Sequence, residues 1–156
     1  MASWQQVAES APEFADTVRA LFDAHRHKTL ATLRKDGSPR ISGIEANFAD
    51  GEMWLGIMDG SRKTKDLLRD PRLALHSASE DPPEAASPSR GDAKLSGRAV
   101  EVKDPERLAS LGGNGSGNLF RVEIEEMVLT RVGDPPDHLV IELWREGEGL
   151  RQMKRR

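Results

Sequence analysis

Two periodicities divide the chain. From Pro12 to about His25 the apolar residues Phe14, Val18, Leu21 and Phe22 recur at helical spacing, and Pro12 sits where a first turn tolerates proline. From Thr29 onward the period drops to two. Thr29–Leu33, Arg40–Ala46 and Met53–Met58 read as strands, with Asp36-Gly37 and Asp50-Gly51 between them as hairpin turns. Further strands are predicted around Leu73–Ser77, Ala93–Val102, Leu119–Val132 and Leu139–Trp144. Short helices interrupt this series between Ser61 and Asp70 and from Asp104-Pro105 to about Leu111. About seven strands, interrupted rather than alternated by helices, predict a mainly β chain folded as an antiparallel β-barrel.

At 156 residues the simplest organisation is one domain over 1–156. Its expected parts are an N-terminal helical segment (1–28), a proline-rich surface loop (79–92), a flexible glycine-rich connection (112–117) and a basic tail (151–156). Hydrophobic residues make up 37% and charged residues 31%, so the chain is globular with a heavily charged surface. A net charge of −3 argues against a dedicated nucleic-acid binder or a protein bound to anionic membrane. No cysteine is present, which excludes disulfides, thiolate metal sites and thiol catalysis. Glu9, Glu13 and Asp16 leave no apolar signal region, and no apolar run approaches the roughly 20 residues that span a bilayer. The expectation is a cytoplasmic protein with neither nucleic acid nor membrane as partner.

Most candidate chemistry fails on spacing. In Gly112–Gly117, Asn114 and Asn118 stand where a dinucleotide fingerprint needs glycine, and Asn118 stands where a P-loop needs lysine. His25, His27, His76 and His138 do not converge as three or four metal ligands in the sequence, so no metal site is predicted. No serine sits in a nucleophile elbow, and adjacent Glu125 and Glu126 fall on opposite faces of a strand. One segment stands out. Ser61 is a good N-cap and Asp70-Pro71 a stop, yet Arg62, Lys63 and Lys65 crowd the first turn while Asp66 and Asp70 lie toward the other end. Against the helix dipole each misplaced charge costs about 0.3–1 kcal/mol. Either the turn is merely solvated, or an anion such as a phosphate ester sits at the helix start and reverses the sign.

The segments Leu30–Ser42, Gly51–Gly56 and Ser61–Leu67, followed by Asp70-Pro71-Arg72, resemble the pyridoxamine 5′-phosphate oxidase-like family of flavin- and deazaflavin-binding split barrels. Leu95–Ala99 and the Leu139–Leu150 end continue the resemblance more faintly. It implies a split β-barrel of the FMN-binding type and a flavin-dependent oxidoreductase moving a hydride to or from a small-molecule substrate. It also implies that FMN is held by its phosphate in a groove between the subunits of a homodimer. Ser61 and Lys63 would then grip the phosphate with Arg62 and Lys65 as secondary contacts. Arg40 and Ser42 match ring- or phosphate-facing strand positions, and the backbone near Ile57 and Met58 would flank the ring. The family's vitamin B6 oxidase carries an Arg-x-Leu-Leu-Lys strand where this chain reads Arg40-Ile41-Ser42-Gly43-Ile44, so that activity is not expected. The alternatives are a reductase using the deazaflavin coenzyme F-420, its anionic tail met by Arg40, Arg98 and the Arg145–Arg156 end, and a non-catalytic flavin or haem binder with His76 as iron ligand. No catalytic side chain is assigned.

Overall fold

The computed structural model describes residues 1–81, 91–112 and 117–156; most of the predicted loop at 79–92 and of the glycine stretch at 112–117 lies outside them. Two helices lead. Ser3 opens α1 (Trp4–Ser10) with a capping box, its hydroxyl accepting from the Gln6 amide while the Gln6 side chain accepts from the Ser3 amide. The apolar spacing from Pro12 does not predict α1, whose local signal is Ser3-x-x-Gln6. Next, α2 (Pro12–Asp23) buries Phe14, Val18, Leu21 and Phe22, the stripe its spacing predicts.

Among the described residues nine strands follow, with two helices set among them. The first four are β1 (Lys28–Leu33), β2 (Pro39–Ile44), β3 (Ala46–Ala49) and β4 (Glu52–Ile57). After α3 (Arg62–Arg69) come β5 (Arg72–His76) and β6 (Asp92–Val102), then α4 (Pro105–Leu111) and β7 (Asn118–Val132). The chain ends in β8 (Leu139–Arg145) and β9 (Gly149–Arg155). All pairings are antiparallel. The hydrogen-bonded order runs β2-β1-β5-β6-β7-β4-β3. Its two ends, β2 and β3, are consecutive in the chain and separated only by Glu45. The sheet therefore closes on itself as a barrel, and the strand predicted over Arg40–Ala46 is corrected to two strands that change partner at a corner. Between β3 and β4 the turn Asp50-Gly51 has φ of 53° and 73°, the left-handed pair a two-residue hairpin requires.

Leu30, Leu55, Leu75, Leu95, Phe120 and Val122 point into the barrel, and α1 and α2 cover one end through Trp4, Phe22 and the half-buried Phe48. Alternate residues such as Thr29, Ala31, Ala74 and Ser96 face outward, as a period of two demands. On one edge β7 splits its partners. Trp54–Ile57 of β4 pair with residues 118–121, and β8 pairs with residues 126–132. At the fork Ile124 exchanges two backbone hydrogen bonds with Ala2, at 2.9 and 2.7 Å. Glu125 is the extra residue of a bulge against Ser96 and Gly97. The bulge switches the buried positions of β7 from Val122 and Ile124 to Met127 and Leu129. The basic tail expected at 151–156 is corrected too: it falls largely in β9, reached through turn glycines Gly147 (φ 79°) and Gly149 (φ 71°). Its charges disguise the strand, because none of its side chains from Leu150 onward is buried. No helix among the described residues is long and apolar enough to cross a membrane.

Candidate functional site

The anomalous helix α3 lies along the free edge of β2. Ser61 caps it as its sequence predicts: the hydroxyl accepts from the Thr64 amide at 3.3 Å and also bonds the Thr64 hydroxyl at 2.9 Å. The Ser61 amide donates to the Met58 carbonyl, so the approach to the helix is fixed as well. This leaves the amides of Arg62 and Lys63 without a backbone partner, pointing out of the positive end of the dipole. Lys63 Nζ donates to the Gly43 carbonyl of β2 at 2.7 Å. That contact spends one of three ammonium donors and holds the charge beside the helix start.

Asp66 explains the apparent misplacement of acid and base. Its side chain is only 3% exposed, and its carboxylate accepts from Arg40 Nε at 2.7 Å, Thr32 Oγ1 at 2.8 Å and Arg69 at 3.0 Å. Burial, the largest single influence, pushes the carboxyl up; the hydrogen bonds from Arg40, Thr32 and Arg69 outweigh it, and the carboxyl lies below the usual aspartate range. Asp66 is therefore a charged anchor that fixes two guanidinium groups. Arg69 also donates to the Leu33 carbonyl at 2.7 Å, whereas Arg40 uses only Nε, and its terminal nitrogens have no partner among the described residues.

The predicted site residues separate into three places. Arg40, Arg62 and Lys65 line a pocket of about 610 Å³ between α3 and the β1–β2 hairpin, together with Arg34, Lys35, Asp36, Asp66 and Arg69. Ser42 shares the inward face of β2 with Arg40, and its buried hydroxyl has no hydrogen-bond partner. Lys63, the Gly43 carbonyl and the first turn of α3 form a second group, while Ser42, one residue before Gly43, turns its side chain inward. Ile57 and Met58 lie where β4 runs out into the turn before α3. Ile57 is buried in the core and Met58 is 80% exposed, its carbonyl turned back toward α3. Arg34, Lys35, Arg69 and the anchor Asp66 were missed in sequence. Arg62, Lys65 or Asp66, and Arg69 are one turn apart on a single helix face, which was a usable signal. The contact from Thr32 to Asp66 spans 34 residues and had none.

A second concavity, about 470 Å³, lies on the outer barrel face across β1, β2, β5, β6 and β7. Its walls include Ala31, Ile41, Ala74 and Val128, and Ile41 is 75% exposed. His76 stands at its side with Nδ1 2.6 Å from the Ser77 carbonyl oxygen, a separation at which Nδ1 carries the proton. Its Nε2 lies 3.7 Å from Asp92. Among the described residues no three histidine or carboxylate side chains gather as metal ligands.

The sequence model for pyridoxamine 5′-phosphate oxidase matches residues 14–139. The chain belongs to this family. Solved structures with the same fold include a conserved hypothetical protein from Mycobacterium tuberculosis, 25% identical, with a TM-score of 0.56 over 76% of this chain and 82% of that one. A haem-binding protein from Mycobacterium smegmatis is 14% identical, with a TM-score of 0.56 over 89% and 86% of the two chains. HutZ, a haem storage protein from Vibrio cholerae, is 16% identical with a TM-score of 0.55 over 74% and 90%. These likenesses place the chain in the split-barrel fold of the pyridoxamine 5′-phosphate oxidase family.

Proposed function

We propose that this member of the family is a flavin-dependent oxidoreductase that holds its cofactor by the phosphate. The observation that carries the reading is the Lys63 ammonium, held by the Gly43 carbonyl beside the start of α3, together with the Arg62 and Lys63 amides, which have no backbone partner among the described residues. An anionic oxygen at the start of α3 satisfies the free amides, the ammonium and the helix dipole together. Arg62 and Lys65 add positive charge at the rim, and Arg40 faces the same helix. FMN is the simplest cofactor that meets these groups, and the deazaflavin coenzyme F-420 is the alternative. Such a cofactor, when bound, supplies hydride transfer to or from a small molecule. The protein's part is to bind and orient it. Ser61 supports this through the cap rather than through a free hydroxyl.

The reading includes a homodimer. Ile41, Ala31 and Ala74 share one outward row that Ser96 and Glu126 continue across β6 and β7, and Ile141 pairs with the exposed Met153 on β8 and β9. The exposed apolar side chains of Ile41 and Met153 on this side fit burial against a second copy, and a two-fold pair is the commonest closed arrangement. The test is titration of the purified protein with FMN, with light scattering on the same sample. Saturable micromolar binding to a particle of twice the chain mass is expected. A monomer with no affinity for FMN or the deazaflavin would end the proposal.

A specific observation supports a second, non-catalytic reading. His76 has its Nδ1 proton committed to a backbone carbonyl, which leaves Nε2 as the ligand nitrogen at the side of the apolar groove. Two proteins sharing the fold are named as haem-binding and haem storage proteins. The absorption spectrum separates the readings: a Soret band that His76→Ala abolishes means haem, and a flavin or deazaflavin band that survives it means the first.

A further inference from the structure

Lys28 is the one buried lysine among the described residues, and it has no counter-ion. It opens β1 opposite buried Ile44 of β2, and only 6% of the residue is exposed. Buried charges are ordinarily paired. Lys28 makes no ion pair among the described residues, and its ammonium donates one hydrogen bond, to the Arg26 carbonyl at 3.0 Å. The two carboxylates that act on it are engaged elsewhere. Asp23 pairs with Arg19 at 3.4 Å, and Glu45 lies 3.9 Å from Arg26 and 4.0 Å from His27. Burial pushes the Lys28 ammonium below the ordinary lysine range, and the attraction of Asp23 and Glu45 does not restore it. A larger share of this amine is therefore neutral and nucleophilic at pH 7 than for a solvated lysine.

The residue is not sealed in. Lys28 lines a concavity of about 580 Å³ with Asp23, His25, Arg26, Glu45 and Asn47, at the barrel end where α2 runs into β1. That volume accommodates a small molecule. With the amine neutral, Asp23 and Glu45 outnumber Arg26 among the charged groups lining it, so an anion is disfavoured and an uncharged ligand is not. We propose that this pocket captures small uncharged aldehydes, with Lys28 Nζ as the atom that bonds them. The nitrogen lone pair attacks the carbonyl carbon, and the π pair of the C=O bond moves to oxygen. A proton then passes from nitrogen to that oxygen, giving a carbinolamine, and loss of water leaves a C=N bond. Nothing is oxidised or reduced. The carboxylates of Asp23 and Glu45 line the same pocket and serve as carriers for the proton. The imine is neutral, so the burial that disfavours the ammonium does not oppose it. No residue is shared with the α3 site, and the chemistry is independent of whether a flavin binds there.

Reductive labelling of the full chain with propanal and cyanoborohydride, read by peptide mass mapping, tests this. Cyanoborohydride turns the imine into a stable secondary amine, and the exposed Lys35, Lys103 and Lys154 serve as internal standards. At pH 7 Lys28 is expected to be labelled about fivefold faster or more than any of the three, although burial alone would make it the slowest. With glyoxylate, an aldehyde that carries a carboxylate, this excess is expected to fall by about threefold or more. Labelling of Lys28 no faster than the exposed lysines overturns the proposal. An undiminished excess with glyoxylate overturns the assignment of an uncharged ligand. Lys28→Met is expected to abolish the fast adduct and leave the slow ones, and a fast adduct that survives it overturns the proposal as well. Should that variant lose its thermal transition, the peptide map of the wild-type protein decides alone.

Discussion

The two short helices set among the strands, α3 and α4, make opposite use of the same local rules. In α4, Asp104 caps the first turn by accepting from the Glu106 amide, Pro105 and Glu106 follow, and no residue is buried. Asp104 and Glu106 agree with the helix dipole there, and the one first-turn cation, Arg107, is paired with Asp50 and Asp104. In α3 the first turn is cationic, yet the helix buries Thr64, Asp66 and Leu67. Where little tertiary contact intervenes, local propensity decides the residues. Where a helix violates local propensity, something outside it compensates, and here that is a buried carboxylate facing two arginines on one side and an anion-seeking turn on the other.

The sharpest way to break the comparison is to remove the compensation. Asp66→Ala leaves the guanidinium of Arg40 without its buried partner and is expected to destabilise the protein by about 3–5 kcal/mol, read by denaturant titration. A loss below about 1 kcal/mol would show that α3 tolerates its charges without the anchor. Acid probes the same group. Because its carboxyl lies below the usual range in the folded chain, the stability Asp66 contributes is complete above the ordinary aspartate pKa of about 3.9. That stability is lost as pH falls through the depressed folded value. Asp70, which Arg72 holds at about 2, acts in the same direction. Asp66→Asn is therefore expected to lose less stability than wild type between neutral pH and pH 2, and a parallel decline would reject the anchor's role.

Next in size is the ligand side of α3. Lys63→Ala is expected to weaken FMN binding by about 1.5–3 kcal/mol, the worth of a hydrogen bond to a charged group. It should leave the melting temperature nearly unchanged, since a cation leaves the positive end of a dipole. Unaltered affinity would remove Lys63 from the site. Smaller still is the matching change in α4. Asp104→Ala costs a cap, about 1 kcal/mol of stability, and should not alter ligand affinity. The smallest effect has the most telling sign. Arg62→Glu is expected to stabilise the ligand-free protein by about 0.3–1 kcal/mol while weakening every anionic ligand. Loss of stability instead would mean that Arg62 serves the fold and not the site.

Much of the fold was legible because its signals are local. The stripe Phe14, Val18, Leu21 and Phe22, the turns at Asp36-Gly37 and Asp50-Gly51, and the caps Ser61 and Asp104 each act within a few residues. The corner at Glu45 was not legible, since alternation runs through it and only the exchange of partners from β1 to β4 reveals it. Nor was β9, whose edge position lets charged residues occupy a strand. In the site, Lys63, Ser61 and Arg62 could be chosen from the turn's sequence. The neighbours that give them meaning arrive from β2 and the β1–β2 hairpin.

The order of residues by itself determined an antiparallel barrel, the place and start of α3, and a family resemblance that draws attention to that turn. These follow from periodicity, capping and turn chemistry, which act over one to four bonds of the backbone ladder. Only the tertiary structure decided that Asp66 is buried between Thr32, Arg40 and Arg69, that Lys63 is held at the Gly43 carbonyl, and that Arg34 and Lys35 join Arg62 and Lys65 around one pocket. Electrostatic and burial effects depend on distance through space and on exclusion of water, and the separation of residues along a chain records neither.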